Sequence, residues 1–274
     1  MSRIESVFER LKAKGETAFI PFITVGDPNL EWTERIVSDL EKAGADIIEL
    51  GIPYSDPLAD GPVIQEAALR SLNQGTKITD AFELVRNLRQ SGVQVPLILF
   101  TYVNPVIQWG VDNFFASAKE VGADGVIIPD LPYEESEEAR LAAAKYEVDL
   151  IPLIAPTSRQ RIERIAKDAT GFVYCVSSLG VTGMRNQLSA ELPEFVGSVR
   201  AATSLPIAVG FGVSTPEQAE QIRGFADGVI VGSAIVRRVQ PLADSVAAGD
   251  QTQINQAYED LLQFVSALKE PLRG

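Results

Sequence analysis

The chain has 274 residues, 46% of them hydrophobic and 22% charged, ordinary for a globular protein with room for a sizeable core. Its formal charge of -13 argues against nucleic acid or an anionic membrane surface as partner, because neutralising phosphates needs clustered Lys and Arg. Histidine is absent and cysteine occurs once, which excludes a disulfide framework and a His-ligated metal site and leaves acid/base chemistry to carboxylates, tyrosines or lysines.

The N-terminus, Met1-Ser2-Arg3-Ile4-Glu5, lacks the apolar core of a signal peptide, and no run approaches the length of a membrane span. Cytoplasm, or an equivalent reducing compartment such as a plastid for a mature organellar form, is the expected location. Ile4, Val7, Phe8 and Leu11 form an i, i+3, i+4, i+7 stripe, predicting a helix whose apolar face packs under the rest of the fold. Short β-branched apolar runs then recur at 18–24, 47–50, 96–100, 125–129, 150–154, 172–176, 206–209 and 228–231. Their continuous rather than alternating hydrophobicity predicts parallel strands buried on both faces.

Helical spacing lies between the runs, as in Ile36, Leu40 and Ala43, or Phe82, Val85 and Leu88. Start signals agree: Asp27-Pro28-Asn29, Thr157-Ser158 and Ser214-Thr215-Pro216-Glu217 each precede a helical stretch. A partial echo recurs in Gly44-Ala45-Asp46, Gly122-Ala123-Asp124 and Phe225-Ala226-Asp227, where a helix end turns into a strand. Ile254, Tyr258, Leu261, Val265 and Leu268 predict a closing helix. About eight βα units predict a single (β/α)8 TIM barrel over 1–274 with an added N-terminal helix, a doubly wound sheet being the rival.

In such a barrel, chemistry sits at the C-terminal ends of the strands. Glu49 occupies that position on the second run, where flanking Ile48 and Leu50 would desolvate it and raise its pKa; a structural hydrogen-bonding role is the alternative. Asp60, in Asp56-Pro57-Leu58-Ala59-Asp60-Gly61-Pro62, reads equally as a functional acid or as a helix cap and turn residue, and Asp56 shares that ambiguity. Glycine loops follow the last two runs, Val209-Gly210-Phe211-Gly212-Val213 and Val231-Gly232-Ser233-Ala234-Ile235, where barrels often hold phosphate on backbone N–H groups. The loop from Ser177 to Gln187 reads as a lid or a flexible surface loop, with Thr182 and Gly183 as its candidate donors. Phe22, Tyr102, Tyr174 and Phe211, near strand ends, suggest a flat apolar substrate. Lys42, Lys77, Lys119, Lys145 and Lys167 fall in helices or loops, so a Schiff-base mechanism has no candidate, and Cys175 reads as a small buried hydrophobe.

The segments Pro21-Phe22-Ile23-Thr24-Val25-Gly26-Asp27-Pro28, Glu49 to Pro62, Gly180-Val181-Thr182-Gly183 and Gly210-Phe211-Gly212 closely resemble the tryptophan synthase α-subunit family. The resemblance implies retro-aldol cleavage of indole-3-glycerol phosphate to indole and glyceraldehyde 3-phosphate, a carbon–carbon lyase reaction of tryptophan biosynthesis. Glu49 would shuttle protons and Asp60 would hold the indole N–H. Phe22, Phe100, Tyr102, Ile127, Tyr174 and Phe211 would line the indole or glycerol part of the pocket. Gly183, Gly210, Phe211, Gly212, Gly232 and Ser233 would hold the phosphate, and Thr182 would close the site.

The resemblance further implies no metal and no cofactor in this chain, pyridoxal phosphate belonging to a partner β subunit in an α2β2 heterotetramer. Pro53, Asp56, Asn104 and Pro105 would belong to that contact. Ser178 and Phe100 depart from some relatives, which carry Arg and a smaller aliphatic residue there. A stand-alone lyase releasing free indole, and a non-catalytic phosphate-binding barrel, are the rival functions.

Overall fold

Helix α1 (Arg3–Lys14) opens on a capping box in which Ser2 Oγ accepts from the Glu5 N–H and the Glu5 carboxylate accepts from the Ser2 N–H, each at 3.2 Å. Gly15, in the left-handed region, stops it. The structure, a computed structural model, describes residues 1–176, 191–210 and 212–274.

Nine strand segments follow: β1 (Ala18–Thr24), β2 (Ile48–Gly51), β3 (Leu97–Phe100), β4 (Gly125–Ile127), β5 (Asp149–Leu150), β6 (Leu153–Ile154), β7 (Val173–Val176), β8 (Ile207–Gly210) and β9 (Gly228–Val231). Every pairing is parallel, in the order β5-β4-β3-β2-β1-β9-β8-β7-β6. The two ends of that order belong to one extended stretch, interrupted at Ile151-Pro152. There the Ile151 N–H donates back to Val126 O, while Pro152 O accepts from the Tyr174 N–H, both at 3.0 Å. The sheet therefore closes into a barrel through this stretch. A proline lacks the N–H of a regular ladder, so one barrel strand is recorded as two segments. Sequence reasoning placed a single strand at 150–154 because it weighed hydrophobicity and not the missing donor.

The helices are α2 (Leu30–Ala43), α3 (Pro62–Asn73), α4 (Ile78–Gln90), α5 (Val103–Trp109), α6 (Val111–Val121), α7 (Glu137–Tyr146), α8 (Arg159–Lys167), α9 (Leu192–Arg200), α10 (Pro216–Arg223), α11 (Ser233–Ala248) and α12 (Gln251–Lys269). Three starts fall where the sequence signals them, with Asn29, Ser158 and Thr215 side chains accepting from the N–H groups of Trp32, Arg161 and Gln218. Helix α12 buries the stripe Ile254, Tyr258, Leu261, Val265 and Leu268.

Strand residues alternate between two cores, as period two requires. Phe19, Ile23, Ile48, Leu50, Leu97, Leu99 and Val126 point outward into the layer under the helices. Ala18, Ile20, Ile98, Ile127, Tyr174, Ala208 and Ile230 point inward, where they meet Ile4, Val7, Phe8 and Leu11 of α1. The Phe8 and Phe172 rings lie 5.6 Å apart. Helix α1 thus closes the barrel's N-terminal end.

The recurrent aspartates explain themselves at that same end. Asp46, Asp124 and Asp227 each use Oδ2 to accept a backbone N–H at or beside a neighbouring strand's first residue: Phe19 at 2.9 Å, Leu97 at 2.9 Å and Ile207 at 2.8 Å. A buried N–H without a partner is costly, so these three carboxylates stabilise the lower rim at three strand entries. Arg3 bonds Asp124 at 2.9 Å and Arg10 approaches Asp46 at 3.6 Å, tying α1 to these carboxylates.

Candidate active site

Inward alternation on β2 leaves one position for a side chain near the mouth, and Glu49 fills it. Its register partners are Phe22 on β1 and Ile98 on β3. Glu49 is 1% exposed and its Oε1 has no hydrogen-bond partner. Burial without compensation disfavours the anion and pushes the carboxyl up to about 8. The structural alternative required hydrogen bonds to loop backbone, and Oε1 makes none.

Asp60 lies in the loop between β2 and α3. The N-cap of α3 is Gly61, with Pro62 in the first turn, so the cap position falls one residue past Asp60. The loop instead holds its backbone: the Asp60 N–H donates to Pro57 O at 3.1 Å and the Asp60 carbonyl accepts from Gln65 Nε2 at 2.7 Å. The side chain is buried, and burial pushes its carboxyl up to about 6 against the lowering influence of the Tyr102 hydroxyl.

Tyr174, on β7, is exposed to the charge of both acids. Its hydroxyl is held well above the usual phenol range, first by burial and then by the negative charge of Glu49 and of Asp60. Phe22 and Phe100 meet edge to face with centroids 5.5 Å apart. Ile127 lies on the inner face beside them. The barrel mouth therefore holds two buried carboxyls with different proton affinities among flat apolar walls.

The glycine positions leave room for this arrangement. A Cβ on Gly210 would lie 2.5 Å from the Tyr174 hydroxyl oxygen, and one on Gly51 would strike the Phe22 ring. Gly232 is the N-cap of α11, and Ser233, which begins that helix, is buried. The first N–H groups of a helix have no internal acceptor, so this end can receive an anion. A Cβ on Gly232 would meet Phe22 Cβ at 3.7 Å, and Phe22 pairs in register with Glu49. Gly212 takes φ +70°, which a side chain would strain. Thr182, Gly183 and Phe211, with the loop around Ser178, lie outside the described residues.

Of the expected partner residues, Asp56 and Asn104 are exposed, Pro105 is partly buried and Pro53 is buried. Asn104 Nδ2 donates to the Tyr54 hydroxyl at 2.8 Å. Sequence reasoning missed two neighbours, Leu58 and Ile107, which are 73% and 61% exposed. A large apolar residue within a Pro- and Asp-rich loop was the available signal for Leu58.

One other expectation is met, and one buried charge is new. Cys175 is buried on the outer face of β7 and its thiol is pushed up to about 12 by burial, a poor nucleophile. The buried Lys269, which sequence reasoning passed over, bonds Asp46 at 2.7 Å at the end of the barrel opposite Glu49. Among the described residues no group of three or more His, Cys, Asp or Glu could hold a metal ion, and no helix is long and apolar enough to cross a membrane.

A family model described as tryptophan synthase alpha chain matches residues 8–268. The chain belongs to this family. A tryptophan synthase alpha chain from Geobacillus stearothermophilus is 51% identical over 93% of this chain and 94% of its own length. One from Thermoanaerobacter sp. (strain X514) is 47% identical over 99% and 100%. Among solved structures, the alpha chain from Legionella pneumophila subsp. pneumophila superposes with a TM-score of 0.86 at 37% identity, covering 99% of this chain and 97% of that one. A chain of Mycobacterium tuberculosis tryptophan synthase does so with a TM-score of 0.88 at 34% identity, covering 100% and 99%. Tryptophan synthase alpha structures are TIM barrels, in agreement with the closed parallel sheet described above.

Proposed function

We propose that this alpha-family chain cleaves indole-3-glycerol phosphate to indole and glyceraldehyde 3-phosphate, as a carbon–carbon lyase of tryptophan biosynthesis acting with a β subunit. The observation that carries the reading is the pair of buried carboxyls, Glu49 at about 8 and Asp60 at about 6, set against one phenol. Near neutral pH this pair supplies one protonated acid and one anion, which the reaction needs together.

Glu49, protonated, gives its proton to the indole ring carbon that carries the glycerol chain. The ring becomes cationic, and the Asp60 carboxylate accepts a hydrogen bond from the indole N–H and balances that charge. The Glu49 carboxylate then takes the proton of the side-chain hydroxyl. The carbon–carbon bond breaks, its electron pair returns to the ring, and the hydroxyl carbon becomes the aldehyde. The hydroxyl proton replaces the one Glu49 gave away, so no water is consumed. The protonated ring is the electron sink, so the chain itself needs no cofactor; pyridoxal phosphate would be carried by the β subunit.

Phe22, Phe100, Tyr102, Ile127 and Tyr174 pack the indole and glycerol parts in this reading. Gly210, Gly212, Gly232 and Ser233, with Gly183 and Phe211, hold the phosphate, and Thr182 closes over Asp60. Pro53, Asp56, Asn104 and Pro105 belong to the β contact in an α2β2 assembly. The whole chain acts as one barrel domain in the cytoplasm.

Indole release from indole-3-glycerol phosphate, measured with and without a β subunit, tests this. Weak release alone and a large gain on adding the β subunit is the expected result. Full activity alone would establish the stand-alone lyase instead, and no release in either condition would leave a non-catalytic barrel.

A further inference from the structure

Helix α3 starts at Pro62, just past Asp60, and α11 starts at Ser233, in the segment assigned to the phosphate. The two helices meet in one apolar cluster that holds Ile64 and Ala67 of α3, Val236 of α11 and Phe22. Apolar packing is non-directional, so it keeps the helices together without fixing how far one has slid along the other.

A polar contact supplies that register. Arg70, in the last turn of α3, directs Nε and Nη2 at the two carboxylate oxygens of Asp27, at 2.9 and 2.7 Å. A planar fork on a carboxylate sets the orientation of the guanidinium as well as its place. Asp27 lies in the loop after β1, and its side chain is 1% exposed. The remaining arm, Nη1, donates to Gln240 Oε1 on α11, and Gln240 Nε2 donates to Asp244 Oδ1 at 2.8 Å. Two neighbours of Arg70 bond the same loop: Ser71 Oγ donates to Val25 O at 2.6 Å, and Gln74 Nε2 donates to Pro28 O. Helix α3 is thus fastened to the exit of β1 at three residues, and Gln240 joins α11 to that anchor.

At 1.5 Å per residue, Arg70 stands about 12 Å along α3 from Pro62, and Gln240 about 10 Å along α11 from Ser233. Each helix is held by its own ladder, so a contact at this depth decides where both N-terminal ends stand. Pro241, next to Gln240, has no N–H to give, so the ladder of α11 lacks a bond at that turn and leans more on an outside anchor.

We propose that Arg70 and Gln240 are positioning residues, whose contact fixes the spacing between the acid that holds the indole and the helix end that holds the phosphate, and so sets the substrate chain length the site accepts. Both act through the helices they stand on. The inference rests on the proposed function and deepens it.

A ligand that bridges two subsites gains over its separate halves when its length matches their spacing. Gln240→Ala cuts the link to α11 and leaves the Asp27–Arg70 fork in place, so the buried carboxylate keeps its partner. In the full chain, inorganic phosphate and indole, each measured alone by equilibrium binding, are expected to bind this variant as they bind the parent. Indole-3-propanol phosphate, which carries both groups on one three-carbon chain, is expected to bind about tenfold more weakly. The preference for that chain over a four-carbon one is expected to shrink about fivefold. Gln240→Glu, which keeps an acceptor for Arg70, is expected to retain the parental preference. Arg70→Lys keeps the charge but cannot hold Asp27 and Gln240 together, and is expected to behave as Gln240→Ala does.

An unchanged chain-length preference in both Gln240→Ala and Arg70→Lys overturns the proposal. So does equal weakening of phosphate, indole and the bridging analogue, which is what a general loosening of the fold would give. A parent chain that binds the bridging analogue no more tightly than phosphate alone overturns the proposed function, and this coupling falls with it; the parent measurement separates that failure from one confined to the variants.

Discussion

Gly210 ends β8 directly beneath the Tyr174 ring, so close that a methyl group there would lie 2.5 Å from the phenol oxygen. The pairing Val176↔Gly210 locks the two strands side by side, so neither backbone can retreat cheaply. Gly210→Ala is expected to turn the ring into the space between Glu49 and Asp60. Overpacking of this kind costs about 1–3 kcal/mol of stability. Indole release should fall at least about tenfold, and unchanged stability and rate would show that the ring has room to spare.

Gly232 offers the contrast. Its added Cβ would meet atoms no nearer than 3.7 Å, ordinary contact distances, so the fold accepts a small side chain there. Gly232→Val is expected to raise KM about tenfold by crowding the anion at the start of α11, with kcat largely kept. Equilibrium binding of inorganic phosphate or a phosphorylated analogue checks this, and unaltered affinity would remove α11 from the phosphate site.

Glu49→Gln keeps the shape and removes the proton transfer. Turnover is expected to drop by about 10²–10⁴-fold, the range for a lost general acid/base, while a substrate analogue still binds. The same variant has a signature in stability. The folded Glu49 carboxyl is raised to about 8, above its ordinary value of 4.5. Between those values the unfolded chain has already lost the proton that the folded chain keeps, so wild-type stability falls as pH rises through the window. Glutamine does not titrate. Thermal unfolding should show the variant gaining on the wild type from pH 5 to 8, by on the order of 3–4 kcal/mol at the upper end. A constant difference across that range would mean that Glu49 is not held protonated.

The proposed mechanism starts from protonated Glu49 and ionised Asp60. The pH profile of kcat/KM is therefore expected to rise through about 6 and fall through about 8. Because both groups act on Tyr174, the two limbs belong to the coupled set. Asp60→Asn is expected to abolish the lower limb along with most of the activity. A profile flat from pH 5 to 9 would contradict both assignments.

Ile107 on α5 is 61% exposed beside Asn104. Ile107→Asp is expected to reduce the gain in indole release on adding the β subunit by about tenfold, through loss of apolar contact at an interface. Release by the isolated chain should be unaffected. Equal stimulation of variant and parent would place the partner elsewhere.

Much of this was legible in sequence because the physics is local. Continuous apolar runs predict buried parallel strands, and the Ile4, Val7, Phe8, Leu11 stripe predicts the helix beneath them. Glu49 was legible as an acid between two apolar neighbours on a strand. Asp60 was not separable from a cap, because Asp-Gly-Pro suits both roles; that the cap of α3 falls on Gly61, one residue later, needs coordinates. Tyr102 reads as another wall aromatic, since its contact with Ala59 joins residues 43 positions apart. The aspartate echo was visible as pattern, but its reason, a carboxylate for the entering N–H of each of three strands, appears only when neighbouring strands are side by side.

Helix α1 gives the barrel a floor. Phe8 lies against Phe172 and Ile4 reaches toward the space beside Gly125, so the interior is filled from below. Among the described residues that end is filled, and the opposite rim carries Asp56, Leu58 and Asn104. If the proposed reaction runs at that rim, substrate and indole share it, and what covers the rim decides the direction of traffic.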